Sequence, residues 1–172
     1  DPSEKENLES KGWFLTQTDK GVRRLVPSPK PKEVVELEII RSLFENRMLC
    51  ITAGGGGTPV VQKSNEWRGV EGVIDKDLVS SILATELNAT HLIIATDVEN
   101  VWIGRNKEPL DIVNSETLRK HYDNGEFPPG SMGPKVEAAL NFVKSNRQTA
   151  VITSLSNVMQ ALEGKSGTIV NF

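Results

Sequence analysis

From residue 32 onward the chain alternates between two apolar periods. Stretches with apolar residues every three to four positions give way to short, nearly continuous apolar runs. That alternation of helix and strand defines an α/β layer fold with a mostly parallel sheet. Glu33 to Glu45 sets Val35, Ile39 and Leu43 at helical spacing, with Ile40 and Phe44 beside them, and predicts an amphipathic helix with a wide buried stripe. MLCITA, residues 48–53, predicts a buried strand. TPVVQKS predicts a short strand, NEWRGVEGV a loop, and Lys76 to Leu87 a helix. HLIIATDV is apolar enough for a central strand buried on both faces. VWIGRNKEPL predicts a hairpin or loop around Gly104 and Pro109.

The last third continues the pattern. Ser115 is expected to cap a helix through Tyr122, and GEFPPGSMG to lead into a helix from Pro134 to Lys144. TAVIT is the next strand, Ser156 caps a helix ending near Gly164, and GTIVNF closes as a strand. Residues 1–27 differ. They are polar, and the prolines at 27, 29 and 31 impose an extended path, so this segment reads as a connector. The chain carries no internal repeat and no low-complexity tract.

Composition narrows the function classes. The 172 residues, 37% hydrophobic and 25% charged, suit one globular domain with a real core. A net charge of −3 offers no electrostatic reason for nucleic acid or an anionic membrane as the main partner. Cys50 is the single cysteine, so an intrachain disulfide framework and a cysteine-based zinc cluster are excluded, and a reducing compartment is favoured. Within MLCITA it reads as a packed thiol, with a reactive thiol beside a site as the alternative. No apolar run approaches the ~20 residues of a membrane span. DPSEKENLESKGW has neither an initiator methionine nor a signal-peptide pattern and reads as an internal position of a longer sequence.

Three segments could carry chemistry. In GSMGPKVEAAL, Lys135 stands in the first turn of a helix, where the dipole disfavours a cation. A bound anion removes the conflict, because free N–H groups, dipole and lysine would all face phosphate oxygens. The plainer alternative is an exposed lysine whose stem covers apolar surface. GVIDKDLVSSILA repeats the arrangement with Asp75, Lys76 and Asp77. A solvated helix start explains both acids but not Lys76, and two lysines at two helix starts could converge on one phosphate chain. In ITAGGGGTPVV, Gly54 to Gly57 cost backbone entropy that an ordinary turn has no need of, so close approach to a ligand is expected. No Gly-Lys-Ser/Thr follows, and no helix begins where a dinucleotide motif requires one.

Taken in order, GVRRLVPSPKP, ITAGGGGTPVV, GVEGVIDKDLVSSILA, LIIATDVENVWI, GEFPPGSMGPKVEAALNFV and ALEGKSGT resemble the signature segments of the carbamate kinases, within the amino acid kinase superfamily. The resemblance covers nearly the whole chain. It implies a three-layer α/β/α sandwich with a mostly parallel central sheet, in a cytoplasmic homodimer. The implied reaction is reversible phosphoryl transfer between ATP and carbamate, with Mg²⁺ held mainly by phosphate oxygens and no protein ligand named. In arginine deiminase-pathway metabolism it would run from ADP and carbamoyl phosphate toward ATP.

By position, Lys76 and Lys135 match the family's phosphate-contacting lysines and Asp77 the acid that holds them. Thr96, Asp97 and Val98, with Trp102, Phe127, Met132 and Gly133, match segments around the nucleotide. Gly54, Gly55, Gly56 and Gly57 match the loop beside the transferred phosphoryl group. Carbamate already carries an anionic oxygen, so the reaction needs no base, and neither His91 nor His121 is given a proton-transfer role.

Two departures from the family pattern touch base stacking: GVRR lacks an aromatic residue before its arginines, and Trp102 stands where tyrosine is common. A larger one is that the family's glycine-rich N-terminal strands are not in this sequence. Residues 1–27 would then be the trailing part of a protruding, lid-like subdomain and 28–172 the nucleotide-binding core. Such a core would expose a sheet edge and part of a buried face. Two alternatives stay open: an amino acid kinase acting on another carboxylate acceptor, and a nucleotide-binding fragment without catalysis of its own.

Overall fold

Residues 2–18, 21–104 and 106–172 are described by the computed structural model. Asp1, Asp19, Lys20 and Arg105, which fall in segments read above, lie outside them. The elements run α1 (Pro2–Ser10), β1 (Phe14–Thr18), β2 (Gly21–Leu25), α2 (Leu37–Glu45), β3 (Val60–Lys63), β4 (Glu66–Gly69), α3 (Lys76–Glu86) and β5 (His91–Thr96). They continue with β6 (Val101–Ile103), β7 (Glu108–Leu110), β8 (Ile112–Asn114), α4 (Ser115–Asp123), α5 (Met132–Asn146), β9 (Thr149–Ser154), a 3₁₀ turn (Leu155–Asn157), α6 (Val158–Leu162) and β10 (Thr168–Asn171).

The chain divides into two compact units, one of residues 1–29 and 58–74, the other of 30–57 and 75–172. A division near residue 27 was expected, but 58–74 was expected in the larger unit. The smaller unit contains α1 and two antiparallel hairpins, β1–β2 and β3–β4. Glu66–Gly69, within the segment whose sequence predicts a loop, is a strand. Its four residues are all exposed, so no apolar alternation marks it. The hairpin closes through Ser64 and Asn65, both at positive φ (50° and 64°), as a two-residue turn matching strand twist requires.

In the larger unit a four-stranded sheet has the order β5-β9-β10-β8. β5 runs parallel to β9, and β10 runs parallel to β8 and antiparallel to β9, so the sheet is mixed and mostly parallel. α5 is the central helix over it. Val136, Ala139, Leu140, Phe142 and Val143 pack with Leu92, Ile94, Ala150, Ile152 and Val170 in one apolar cluster. α3 and α4 flank α5. Ser81 Oγ on α3 donates to the Ala138 carbonyl at 2.9 Å, tying the two helices without leaving that buried hydroxyl unpaired. On β9, Val151 and Thr153 alternate with the cluster residues and are buried as well, so this strand is covered on both faces.

Several expectations are corrected. Residues 48–53 form no strand, and Leu49 and Ile51 are 95% and 96% exposed. A strand buried on both faces needs partners, and among the described residues none pairs with this segment. For the same reason β5, expected to be central, is the edge strand of the described sheet. α2 begins at Leu37, not Glu33, and of its expected stripe only Ile40 is buried. The cap of α4 is Asn114, whose side chain accepts from the Thr117 N–H at 2.8 Å. α5 begins at Met132, two residues before Pro134. Ser156 lies inside the 3₁₀ turn and makes no cap.

Candidate functional site

Two helix starts meet where α3 packs on α5. Asp75 caps α3, its carboxylate accepting from the Asp77 N–H at 2.8 Å and the Leu78 N–H at 3.3 Å. Asp77, in the first turn, is thereby turned inward and is 7% exposed. Opposite it, Lys135 in the first turn of α5 donates from Nζ to Asp77 Oδ2 at 2.7 Å. The two side chains keep 10% and 14% of their exposure. A pair so poorly hydrated needs each partner for the other, since removing one leaves a buried charge. Asp77 thus supplies an anion for the lysine that the α5 dipole disfavours, and it holds the ammonium at the α5 start.

The approach to α5 is built for close packing. The Gly133 N–H donates to the Pro128 carbonyl at 2.9 Å, and a Cβ at 133 would sit 2.9 Å from that same oxygen. Lys76, the first residue of α3, is exposed and takes part in none of the described ion pairs. The structure therefore brings Asp77 and Lys135 together and leaves Lys76, next to Asp77 in sequence, outside the described ion pairs. In the tetraglycine loop Gly54, Gly56 and Gly57 have φ of 47°, 123° and 82°. Backbone conformation accounts for glycine at those three positions, whereas a Cβ on Gly55 would meet nothing within 4 Å.

The remaining site candidates are spread over the end of β5 and the loop after it, the β6–β7 hairpin, and the loop and first turn that lead into α5. Thr96 Oγ1 donates to Asp97 Oδ1 at 3.0 Å, and Asp97 is exposed while Val98 is half-buried. Val101 is fully buried and Trp102, the next residue, is 47% exposed, as strand alternation requires. Phe127 belongs to the core cluster, with Met132 packed against it. His91 is exposed and contacts Thr90 Oγ1, and His121 pairs with Glu126. Cys50 is half-buried.

Sequence reasoning passed over several polar residues that shape this region. Glu137, one turn beyond the α5 start, accepts from Tyr122 Oη at 2.9 Å and pairs with Lys30. Burial pushes its carboxyl up, but the hydrogen bonds from Lys30 and Tyr122 outweigh it and the net shift is downward. Burial and the same carboxylate raise the Tyr122 phenol. Thr168, fully buried, accepts from the Val101 N–H at 2.8 Å and donates to the Leu110 carbonyl, fastening the hairpin to the sheet. A recess of about 210 Å³ between α3 and α5 is lined by Lys30, Ser81, Glu137 and Asn141, and not by Lys135 or the glycine loop. Its chemistry is separate from the Asp77–Lys135 corner.

Among the described residues no helix is long and apolar enough to cross a membrane. The family model for the amino acid kinase family matches residues 5–154, and the chain belongs to that family. Its fold is the amino acid kinase fold, helices about a mixed, mostly parallel sheet. Within it the chain is similar to carbamate kinases. It is 44% identical over 171 residues to that of Thermoplasma acidophilum, covering 98% of this chain and 56% of the relative. It is 47% identical over 170 residues to that of Pyrococcus horikoshii, covering 96% and 54%. Carbamate kinase from Giardia lamblia bound to AMP-PNP superposes with a TM-score of 0.88 at 38% identity, covering 98% of this chain and 55% of that one. The chain spans about half the length of the curated relatives it matches.

Proposed function

We infer that this chain is the nucleotide-binding part of a carbamate kinase, an enzyme transferring a phosphoryl group reversibly between ATP and carbamate. The observation that carries this is the Asp77–Lys135 pair at 2.7 Å, joining two helix starts. Helix N-termini present unpaired N–H groups and a positive dipole end, and a fixed ammonium adds a full charge. Together they suit the transferring phosphates. Lys76 is the second cation, free to reach the phosphate chain because no described carboxylate holds it.

Catalysis in this reading is positioning and charge stabilisation. Asp77 keeps Lys135 aimed, and Gly54 to Gly57 let backbone approach the transferred group. Thr96, Asp97, Val98, Trp102, Phe127, Met132 and Gly133 form or support the base and ribose pocket. Mg²⁺ would come with the nucleotide on its phosphate oxygens and would supply neutralisation of phosphate charge. An ion bound mainly by phosphate oxygens needs no protein ligand set. In this proposal the enzyme is a cytoplasmic homodimer running toward ATP from carbamoyl phosphate in the arginine deiminase pathway. Residues 1–27, within the smaller unit, are the trailing part of the protruding subdomain.

Full-length protein mixed with ADP and carbamoyl phosphate should form ATP, and Lys135→Ala should lower the rate by at least about a hundredfold. Wild-type turnover no faster than the variant's would refute the reaction. A panel of carboxylate acceptors with ATP separates carbamate from the related acceptors. The exposed apolar residues of 48–53 favour a second reading for the 172 residues alone, nucleotide binding without turnover. ATP formation by the isolated chain would exclude it.

A further inference from the structure

α4 ends in a Schellman motif. The Gly125 N–H donates to the Tyr122 carbonyl at 3.0 Å, and the Glu126 N–H reaches back to the His121 carbonyl at 3.3 Å. Gly125 has φ of 74°, the left-handed position this turn requires. The motif sets the residue after that glycine over the residue five before it, a contact usually made by two apolar side chains. Here the pair is Glu126 and His121. The His121 ring N–H donates from Nδ1 to Glu126 Oε1 at 2.7 Å. The second carboxylate oxygen, Oε2, accepts from the Gly104 N–H at 3.0 Å. Gly104 follows β6 in the hairpin turn.

One carboxylate therefore joins three pieces of chain: the end of α4, the β6–β7 turn, and the loop that enters α5. Trp102 lies two residues before Gly104, and Phe127 directly follows Glu126. From there Pro128 holds Gly133, and Lys135 follows in the same turn of α5. The hydrogen bonds from His121 and from the Gly104 amide hold the Glu126 carboxyl below its ordinary range, so it accepts from both donors at neutral pH. The groups are about a quarter exposed, 27% for His121 and 26% for Glu126, a setting in which an ion pair adds little stability. A weakly stabilising pair that bridges two loops acts mainly on geometry.

We propose that His121 and Glu126 form a positioning clamp that holds the β6–β7 hairpin, with Trp102, to the chain entering α5, and so sets the affinity for nucleotide. Neither residue touches the reacting atoms. The clamp rests on the nucleotide-site reading above, in which Trp102 belongs to the clamped hairpin and Met132, Gly133 and Lys135 to the chain that follows Glu126 into α5. Loosening the hairpin withdraws one wall of the site while leaving the Asp77–Lys135 corner intact.

The test uses full-length protein with Glu126→Ala, Glu126→Gln and His121→Ala. ADP affinity is read by calorimetry, KM and kcat by steady-state kinetics, and stability by thermal unfolding. Glu126→Ala should weaken ADP binding by about tenfold, raising KM for ADP with kcat nearly kept. Glu126→Gln, whose amide oxygen still accepts from Gly104, should recover most of the loss. The Glu126→Ala/His121→Ala double variant should lose no more than Glu126→Ala alone, because the two act as a unit. A fall in melting temperature with unchanged ADP affinity would make the pair merely structural and overturn the clamp. Wild-type affinity in both alanine variants would overturn it too. A wild-type protein that binds no ADP would instead refute the nucleotide-site reading, and the clamp with it.

Discussion

α5 and the stretch from α2 to residue 53 carry comparably apolar sequence and meet opposite fates. Along α5, seven residues are buried, among them Phe142 and Val143 with no exposure. In α2 only Ile40 is buried, while Ile39 and Phe44 are 65% and 47% exposed, and Leu49 and Ile51 beyond it stand almost fully in solvent. The difference lies in partners. α5 has the sheet beneath it and α3 and α4 beside it, whereas no described strand pairs with 48–53. An apolar period says which face an element would bury; burial follows only where a complementary surface is present. The corner with Asp77 and Lys135 forms because both of its helices lie among the described residues, whereas the apolar stretch has no described partner.

Matched truncations separate the two regions. Phe142→Ala should cost about 3–5 kcal/mol in urea unfolding of the chain, and Phe44→Ala less than about 0.5 kcal/mol. Equal losses would mean that α2 is packed as α5 is. In full-length protein Phe44→Ala should become the costlier change of its two settings, which would tie the exposed stretch to missing partners.

A smaller effect is expected at the corner itself. Asp77→Ala should cost about 3 kcal/mol by stranding the Lys135 ammonium, and Asp77→Ala/Lys135→Met should recover part of it. Additive losses in that cycle would mean that the 2.7 Å pair contributes nothing as a pair.

The smallest effect is a pH dependence. The folded-state Glu137 carboxyl is held below its ordinary value of 4.5, so its contribution is present above that value and is lost as pH falls through the lowered one. Glu137→Gln should therefore flatten the acid limb of stability below about pH 4.5 and leave the neutral region's slope unchanged. An unaltered acid limb would remove the Lys30–Glu137–Tyr122 group from the account.

The sequence made the helix and strand alternation legible, and α3, β5, α4, β9 and β10 lie where their periods place them. β4 escaped notice because all four of its residues are exposed, so pairing alone defines it. The strand expected at 48–53 failed for the opposite reason, being apolar without a partner. At the candidate site, Lys135 and Asp77 were singled out separately as features of helix starts. Their meeting depends on α3 and α5 packing side by side, 58 residues apart in the chain, which no local pattern encodes. Glu126 and His121 were less visible still. A Schellman turn after a helix is readable from its glycine, but the third partner is the Gly104 backbone amide, and a backbone amide leaves no mark in a sequence.

In the proposed function the α3 and α5 starts form the phosphate end of a nucleotide site. Calorimetric titration of ADP into full-length protein tests it directly, comparing wild type, Lys135→Ala and Lys30→Ala. Lys135→Ala should bind ADP at least about tenfold more weakly, because a charge-assisted contact to phosphate is lost. Lys30→Ala, which disturbs only the neighbouring recess, should bind as wild type does. Unchanged affinity in Lys135→Ala would contradict the account.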